Sequence, residues 1–279
     1  MKKIVVLFLF LFVTNHLIFS QKNDSINPAL TSKIIFNAGI FTPSKRVKFG
    51  FKSSGLSDDI DIINFDKALK LSNLQSSFLF DVMWRFSRQR YWSVTTSFFR
   101  IRNSKHVKLE EDIQWNDLTF KAGTGIKGGF SMSIYKIFFG RVITKGPKHE
   151  IGGGLGIHAF VIQGYIEGLA LVNENEFKYE KSNISSAIPL PNIGLWFIYA
   201  PHHRLAFSTR IDWFGLSIDE YSGSLWNANA GINYRIFKHI GLNLSYKYQK
   251  IKADVNKRLW QGSFYMRFQG PVLTVTGSF

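Results

Sequence analysis

The chain has 279 residues, with 35 Lys and Arg against 19 Asp and Glu for a formal charge of +16, 16% aromatic residues and no cysteine. The lack of cysteine excludes a disulfide, a thiolate zinc site and a lipidated cysteine at a processed N-terminus. The basic excess is spread along the chain and forms no Lys/Arg block of the kind that marks a nucleic-acid patch, so nucleic acid is not an expected partner.

Met1, Lys2 and Lys3 make a basic start, Ile4 to Val13 is an unbroken apolar run, and Ser20 is a small residue ahead of Gln21. These are the parts of a secretory signal. The apolar run is too short for a spanning helix, which needs roughly 20 residues. Residues 1–20 are therefore expected to be a cleaved signal peptide, whose loss removes two lysines and no acid. Residues 21–31, QKNDSINPALT, are polar and predict a short exposed leader, leaving 32–279 as one domain.

The first expected strand is Ser32 to Phe41. Between Thr42 and Ser72 the alternation weakens: Val47 to Phe51 and Ile60 to Ile63 are candidate strands, and Asp66 to Leu71 is a candidate helical turn. The pattern then becomes regular. Phe78, Phe80, Val82, Trp84 and Phe86 alternate with Ser77, Leu79, Asp81, Met83 and Arg85; a period of two puts the sets on opposite faces of a strand. Trp92 to Phe98, Phe130 to Ile134, Ile151 to Val161, Ile193 to Tyr199, Leu205 to Trp213, Trp226 to Ile236 and Leu242 to Tyr248 repeat it. In Phe130, Met132 and Ile134 the apolar set is expected to point outward, against Ser131, Ser133 and Tyr135. The polar faces carry charges and amides in strand after strand, which a dry sandwich core would not tolerate.

The tail, Arg258 to Phe279, has apolar residues at even positions from Trp260 to Phe268 and polar ones at odd positions. After Gly270 and Pro271 the apolar phase moves to Leu273, Val275 and Phe279. A bulge at Gly270 and Pro271 in one long strand is the favoured reading; a turn there would need an additional strand from residues 45–65.

Strands greasy on one face and polar on the other, finished by a terminal aromatic, resemble bacterial Gram-negative outer-membrane β-barrels. The resemblance implies an all-β, closed antiparallel transmembrane barrel in the cell outer membrane, with the polar set inside and the apolar set facing lipid. About ten strands are expected, with eight or twelve also consistent. It implies as partners outer-membrane lipid, surface ligands reached through long loops, and the barrel-assembly machinery, for which Phe279 is the C-terminal signal. Compact basic connections at Ser87 to Arg90, Thr144 to His149, Ala200 to Arg204 and Phe237 to His239 would be periplasmic turns, making residues 21–31 a periplasmic leader. Asn103 to Asp117 and Leu171 to Ser185 are long and acidic and would be external loops.

No cofactor or metal is expected. Gly123 to Gly128 fits G-x-G-x-x-G, but a nucleotide site needs a following helix, and the run from Phe130 alternates as a strand. Small residues at Gly152 to Gly156 make room for bulky neighbours. His106, His149, His202, His203 and His239 fall in loops or turns, and the adjacent His202 and His203 would point apart in an extended chain. The candidate site is the inward polar set: Asp81, Arg85, Arg141, Glu150, His158, Arg210, Asp212, Arg235, Lys247 and Arg267. Ion pairs filling a narrow barrel are the plain reading. The expected role is non-enzymatic: structural, in surface interaction, or in passage of small solutes. A narrow anion-preferring pore is one alternative. The other is a lipid-modifying hydrolase built from His158, Ser131 or Ser133, and Glu150.

Overall fold

The computed structural model describes residues 26–53, 61–63, 76–86, 89–110, 112–115, 118–173, 176–218, 221–257 and 260–279. A short helix, α1 (Pro28–Thr31), comes first; Pro28 suits its opening position, and the Asn27 side chain caps it by accepting from the Ala29 N–H at 2.9 Å. Fourteen strands follow: β1 (Ile34–Phe41), β2 (Ser44–Ser53), β3 (Asp61–Ile63), β4 (Ser77–Arg85), β5 (Trp92–Lys108), β6 (Ile113–Trp115), β7 (Leu118–Phe120), β8 (Gly125–Lys145), β9 (His149–Asn173), β10 (Glu176–His202), β11 (Leu205–Ile218), β12 (Tyr221–Arg235), β13 (Ile240–Lys257) and β14 (Trp260–Ser278). Candidate helical residues 66–71 lie outside the described ones, as do residues 1–20.

Ten of these strands close into an antiparallel barrel in the order β1-β4-β5-β8-β9-β10-β11-β12-β13-β14, with β14 pairing back onto β1. The seam ends at the last residue: Ile34 N donates to Phe279 O at 2.9 Å and Phe279 N to Ile34 O at 2.8 Å. The β2 strand continues the β1 wall along β14, β3 hangs from β2, and the β6–β7 hairpin leans on β9.

Connections are compact at one end, after β4, β8, β10 and β12, as expected. At the other end the wall is tall. β9 and β10 have 25 and 27 residues, where a tilted crossing needs roughly 9–11. Leu171 to Ser185 is therefore not a long loop; β9 runs on to Asn173 and β10 starts at Glu176, and these two residues pair with each other.

The chain is continuous at Gly270 and Pro271. β13 pairs with β14 from Ile240 to Lys257 in one register, so there is neither a bulge nor a turn. What changes there is the environment. Nearer the short turns, Leu273 and Val275 are exposed on the outer face and Thr274 and Thr276 are buried inside. Past Pro271 the inner positions become Phe268 and Met266, both buried, while the outer ones become Gln269, Arg267 and Tyr265. β8 does the same: Phe130, Met132 and Ile134 point inward, not outward as expected, and Ser131 and Ser133 lie on the outer face. Both faces invert at one height because lipid gives way to water outside, and the barrel beyond the apolar belt becomes an ordinary protein with a dry core.

That core is continuous across the barrel. Phe41, Leu79, Phe99, Met132, Phe160, Leu190, Leu225, Ile251 and Phe268 are all buried in it, with Phe214 packed alongside, so each of the ten barrel strands contributes. At the short-turn end, α1 is not an exposed leader but a partial stopper. Leu30 is fully buried against Ala200 and Ala206, and the Asn27 amide donates to His202 O at 3.1 Å.

Candidate functional site

Between α1 and the apolar core lies a polar chamber of about 260 Å³. The glycines and aromatics of β8 to β10 shape one wall. A Cβ at Gly152 would meet the Trp196 ring, and one at Gly154, Gly156 or Gly194 would meet the Phe138 ring. The expected room for bulky neighbours thus has named occupants. The guanidinium of Arg210 lies 3.9 Å above Phe138, which fixes its height in the barrel.

Arg210 belongs to a buried network centred on Asp212, which is fully buried. Its carboxylate accepts from Lys136 Nζ at 2.7 Å, from Arg210 Nε at 2.9 Å and from Asn227 Nδ2 at 2.7 Å. A buried carboxylate is tolerated when its lone pairs are taken up in this way. Above it His158 is buried, with Nδ1 and Asn192 Oδ1 at 3.0 Å and the ring stacked on Phe160 at 6.0 Å. Lys247 stands 4.4 Å over the Phe99 ring, at the boundary between chamber and core.

Two further groups complete the interior. Asn37 Nδ2 donates to Asp81 at 2.9 Å, Thr276 Oγ1 donates to Asn37 Oδ1 at 2.6 Å, and Asn233 Nδ2 donates to Thr276 Oγ1 at 2.8 Å. This chain bridges β4, β1, β14 and β12. Near α1, Arg85 Nη2 meets Glu150 Oε1 at 3.1 Å with both side chains only 1% exposed, and Trp196 Nε1 donates to the same oxygen at 3.0 Å. Arg85 also donates to Ser32 O at 3.0 Å and Ala29 O at 2.9 Å, so it pins the helix to the barrel wall. Arg235 lines the chamber near the short-turn end, half-buried.

Two members of the expected set are elsewhere. Arg141 is exposed on the outer face, 5.1 Å over the Trp92 ring, and Arg267 lies on the outer face directly opposite Lys250. Alternation shows which residues share a face and not which face is the interior; with Met266 and Phe268 turned inward, Arg267 points out. The same inversion concealed Lys136, which shares its face with Phe130, Met132 and Ile134. The hydrolase constellation is not assembled. Ser131 and Ser133 are on the face opposite to His158, and Glu150 lies eight residues down the same strand from it, roughly 25 Å at an extended rise. His202 and His203, expected to point apart, have ring centroids 4.0 Å apart where the chain turns out of β10. No helix follows Gly123 to Gly128, where β8 begins.

No protein-family model matches the chain, and no curated protein matches it by sequence. Solved structures do. The outer-membrane protease OmpT from Escherichia coli superposes with a TM-score of 0.58 at 10% identity, covering 93% of this chain and 100% of that one. The Pseudomonas putida toluene transporter TodX gives 0.35 at 9% identity over 91% and 92% of the two chains. Ail, the attachment invasion locus protein of Yersinia pestis, gives 0.27 at 11% over 86% and 98%. At such identities the likeness to OmpT is one of fold alone, and the other two carry no argument. The protein is an outer-membrane β-barrel of the Gram-negative type. A likeness of fold alone, at 10% identity, does not narrow the class further to one activity.

Proposed function

We propose that the protein is a non-conducting barrel that works by binding, presenting its tall β8–β10 wall at the cell surface and its polar chamber to the periplasm. Short turns of outer-membrane barrels face the periplasm, which sets this orientation. The observation that carries the reading is the apolar layer to which every barrel strand contributes. An ion moving through the barrel would have to shed its water against Phe99, Phe160 and Phe268, a cost that Coulomb attraction to the chamber cations does not offset. The same layer counts against the anion-preferring pore.

The test is conductance of the purified barrel in planar bilayers. Wild-type protein gives no stepwise current over the voltages at which porins conduct. Stable unitary steps from the wild type would overturn the reading, and anion preference in those steps would restore the pore.

A further inference from the structure

The chamber holds an arrangement that structural packing does not require. Arg210 on β11, Asn229 on β12 and Lys247 on β13 sit in one cross-strand row, Arg210 paired with Asn229 and Asn229 with Lys247. All three line the chamber. Adjacent strands are about 4.8 Å apart, so long side chains in such a row can converge on one small group. Next to Lys247 on β14 is Gly270, and the row nearer the short turns holds Gly231 and Ser245. Small residues therefore surround a set of donors.

The charges of the upper chamber do not cancel. Lys136, Arg210 and Lys247 face Asp81 and Asp212, and Asp212 is already shared by Lys136 and Arg210 at 2.7 and 2.9 Å. Lys247 has no carboxylate within 4.0 Å among the described residues; its close partner is the Phe99 ring. The buried Nη2 of Arg210 lies near Asp212 but makes no aligned hydrogen bond. By formal charge the cations exceed the carboxylates by one inside a membrane-level cavity roofed by hydrocarbon, where an unpaired charge is costly.

We infer that the chamber is a binding site for one small oxyanion, held by the guanidinium of Arg210, the amide of Asn229 and the ammonium of Lys247. The chemistry is that of charge-assisted hydrogen bonds from a planar guanidinium and an ammonium to carboxylate or phosphate oxygens. The volume of about 260 Å³ has room for inorganic phosphate or a short carboxylic acid. The inference goes beyond the closed-barrel reading and depends on it only for the ligand stopping in the chamber instead of crossing it.

The experiment uses the full chain purified in detergent micelles, with isothermal titration of inorganic phosphate in one arm and acetate or succinate in the other. Saturable binding near one equivalent in either arm is expected, and the arm that responds identifies the source. Lys247→Met weakens it by about tenfold or more, while Lys121→Gln, on the outer loop, leaves it unchanged. Asn229→Leu alters no charge and also weakens binding, so it stands in if Lys247→Met fails to give the folded, heat-modifiable form. No saturable binding in either arm, or binding unaltered by both chamber variants, overturns the site. Uptake of labelled phosphate into proteoliposomes separates the two readings: binding without uptake supports the site as a dead end. Uptake that the Lys247→Met variant abolishes keeps the site and overturns the closed barrel alone.

Discussion

The ring of Phe268 on β14 meets the ring of Phe99 on β5 edge-on, with centroids 5.5 Å apart, although these strands lie on different sides of the β1–β4 wall. Phe41 touches both, at 6.0 and 5.7 Å. The contact spans the lumen, so it belongs to the seal. Phe268→Ala removes a fully buried ring from a core built on every strand, and large-to-small changes of this kind cost about 3–5 kcal/mol. The expected outcome is a lower urea midpoint in micelles and a lower temperature for loss of the heat-modifiable form, with Phe268→Leu recovering most of the difference. An unchanged midpoint would place Phe268 outside any packed core.

Phe268 also marks where the sequence stopped being sufficient. Within the apolar belt the faces of β4, β9, β10, β11, β12 and β13 were legible, because lipid outside and polar groups inside give one rule to every strand. Strand number and the compact turns followed from that rule. At Phe130 to Ile134 and at Met266 and Phe268 the same rule gave the wrong face, since period two is blind to which side is the interior. Water replaces lipid at that height, and the apolar set goes inward. Lys136 would have been found by asking which strands exceed the roughly 9–11 residues of a crossing, because the excess must stand in water. The burial of α1 is not legible in the sequence for a different reason. Ile26, Ala29 and Leu30 are scattered in a polar stretch, and the burial of Leu30 against Ala200 and Ala206 depends on contacts distant in sequence.

Glu150 and Arg85 form a pair on which the position of α1 depends. Glu150→Gln keeps an oxygen for the Trp196 indole but leaves Arg85 charged, buried and without its counter-ion. Breaking a buried pair from one side costs about 3–5 kcal/mol. Both Glu150→Gln and Arg85→Ala are expected to lower the unfolding midpoint. Arg85→Ala additionally releases the carbonyls of Ala29 and Ser32, so protease cleavage between residues 26 and 33 should quicken in that variant more than in Glu150→Gln. Equal cleavage rates in wild type and both variants would show that Arg85 does not hold the helix.

A pH response is built into the connection between β5 and β8. Asp112 accepts from Lys121 Nζ and from the Ala122 N–H, each at 2.8 Å, and these bonds, the lysine's first, hold its carboxyl below the ordinary carboxylate value. A depressed folded value means that the contribution is full above the ordinary value of about 3.9 and is lost as pH falls through the lowered one. Hydrogen exchange at Ala122, corrected for the intrinsic rate, should show more protection in wild type than in Asp112→Asn above about pH 5, with the two converging in stronger acid. The group is exposed, so global stability should not follow it. A difference between wild type and variant that persists unchanged into strong acid would contradict the assignment.

Phe279 acts through its backbone as well as its ring. Its N–H and carbonyl both pair with Ile34, while its ring stacks on His239 at 5.1 Å and on Phe36 at 5.9 Å. Phe279→Ala loses the two ring contacts and keeps the seam hydrogen bonds; deleting Phe279 loses both. Hydrogen bonds at a lipid-facing seam have no water to replace them, so the deletion should be the more damaging. The measurement is the fraction of heat-modifiable protein recovered on refolding the purified chain into lipid vesicles, where no assembly machinery acts. The order expected is wild type, then Phe279→Ala, then the deletion. If the two variants refold equally well but differ in the amount reaching the outer membrane of cells, the last residue matters for recognition during assembly and not for closing the seam.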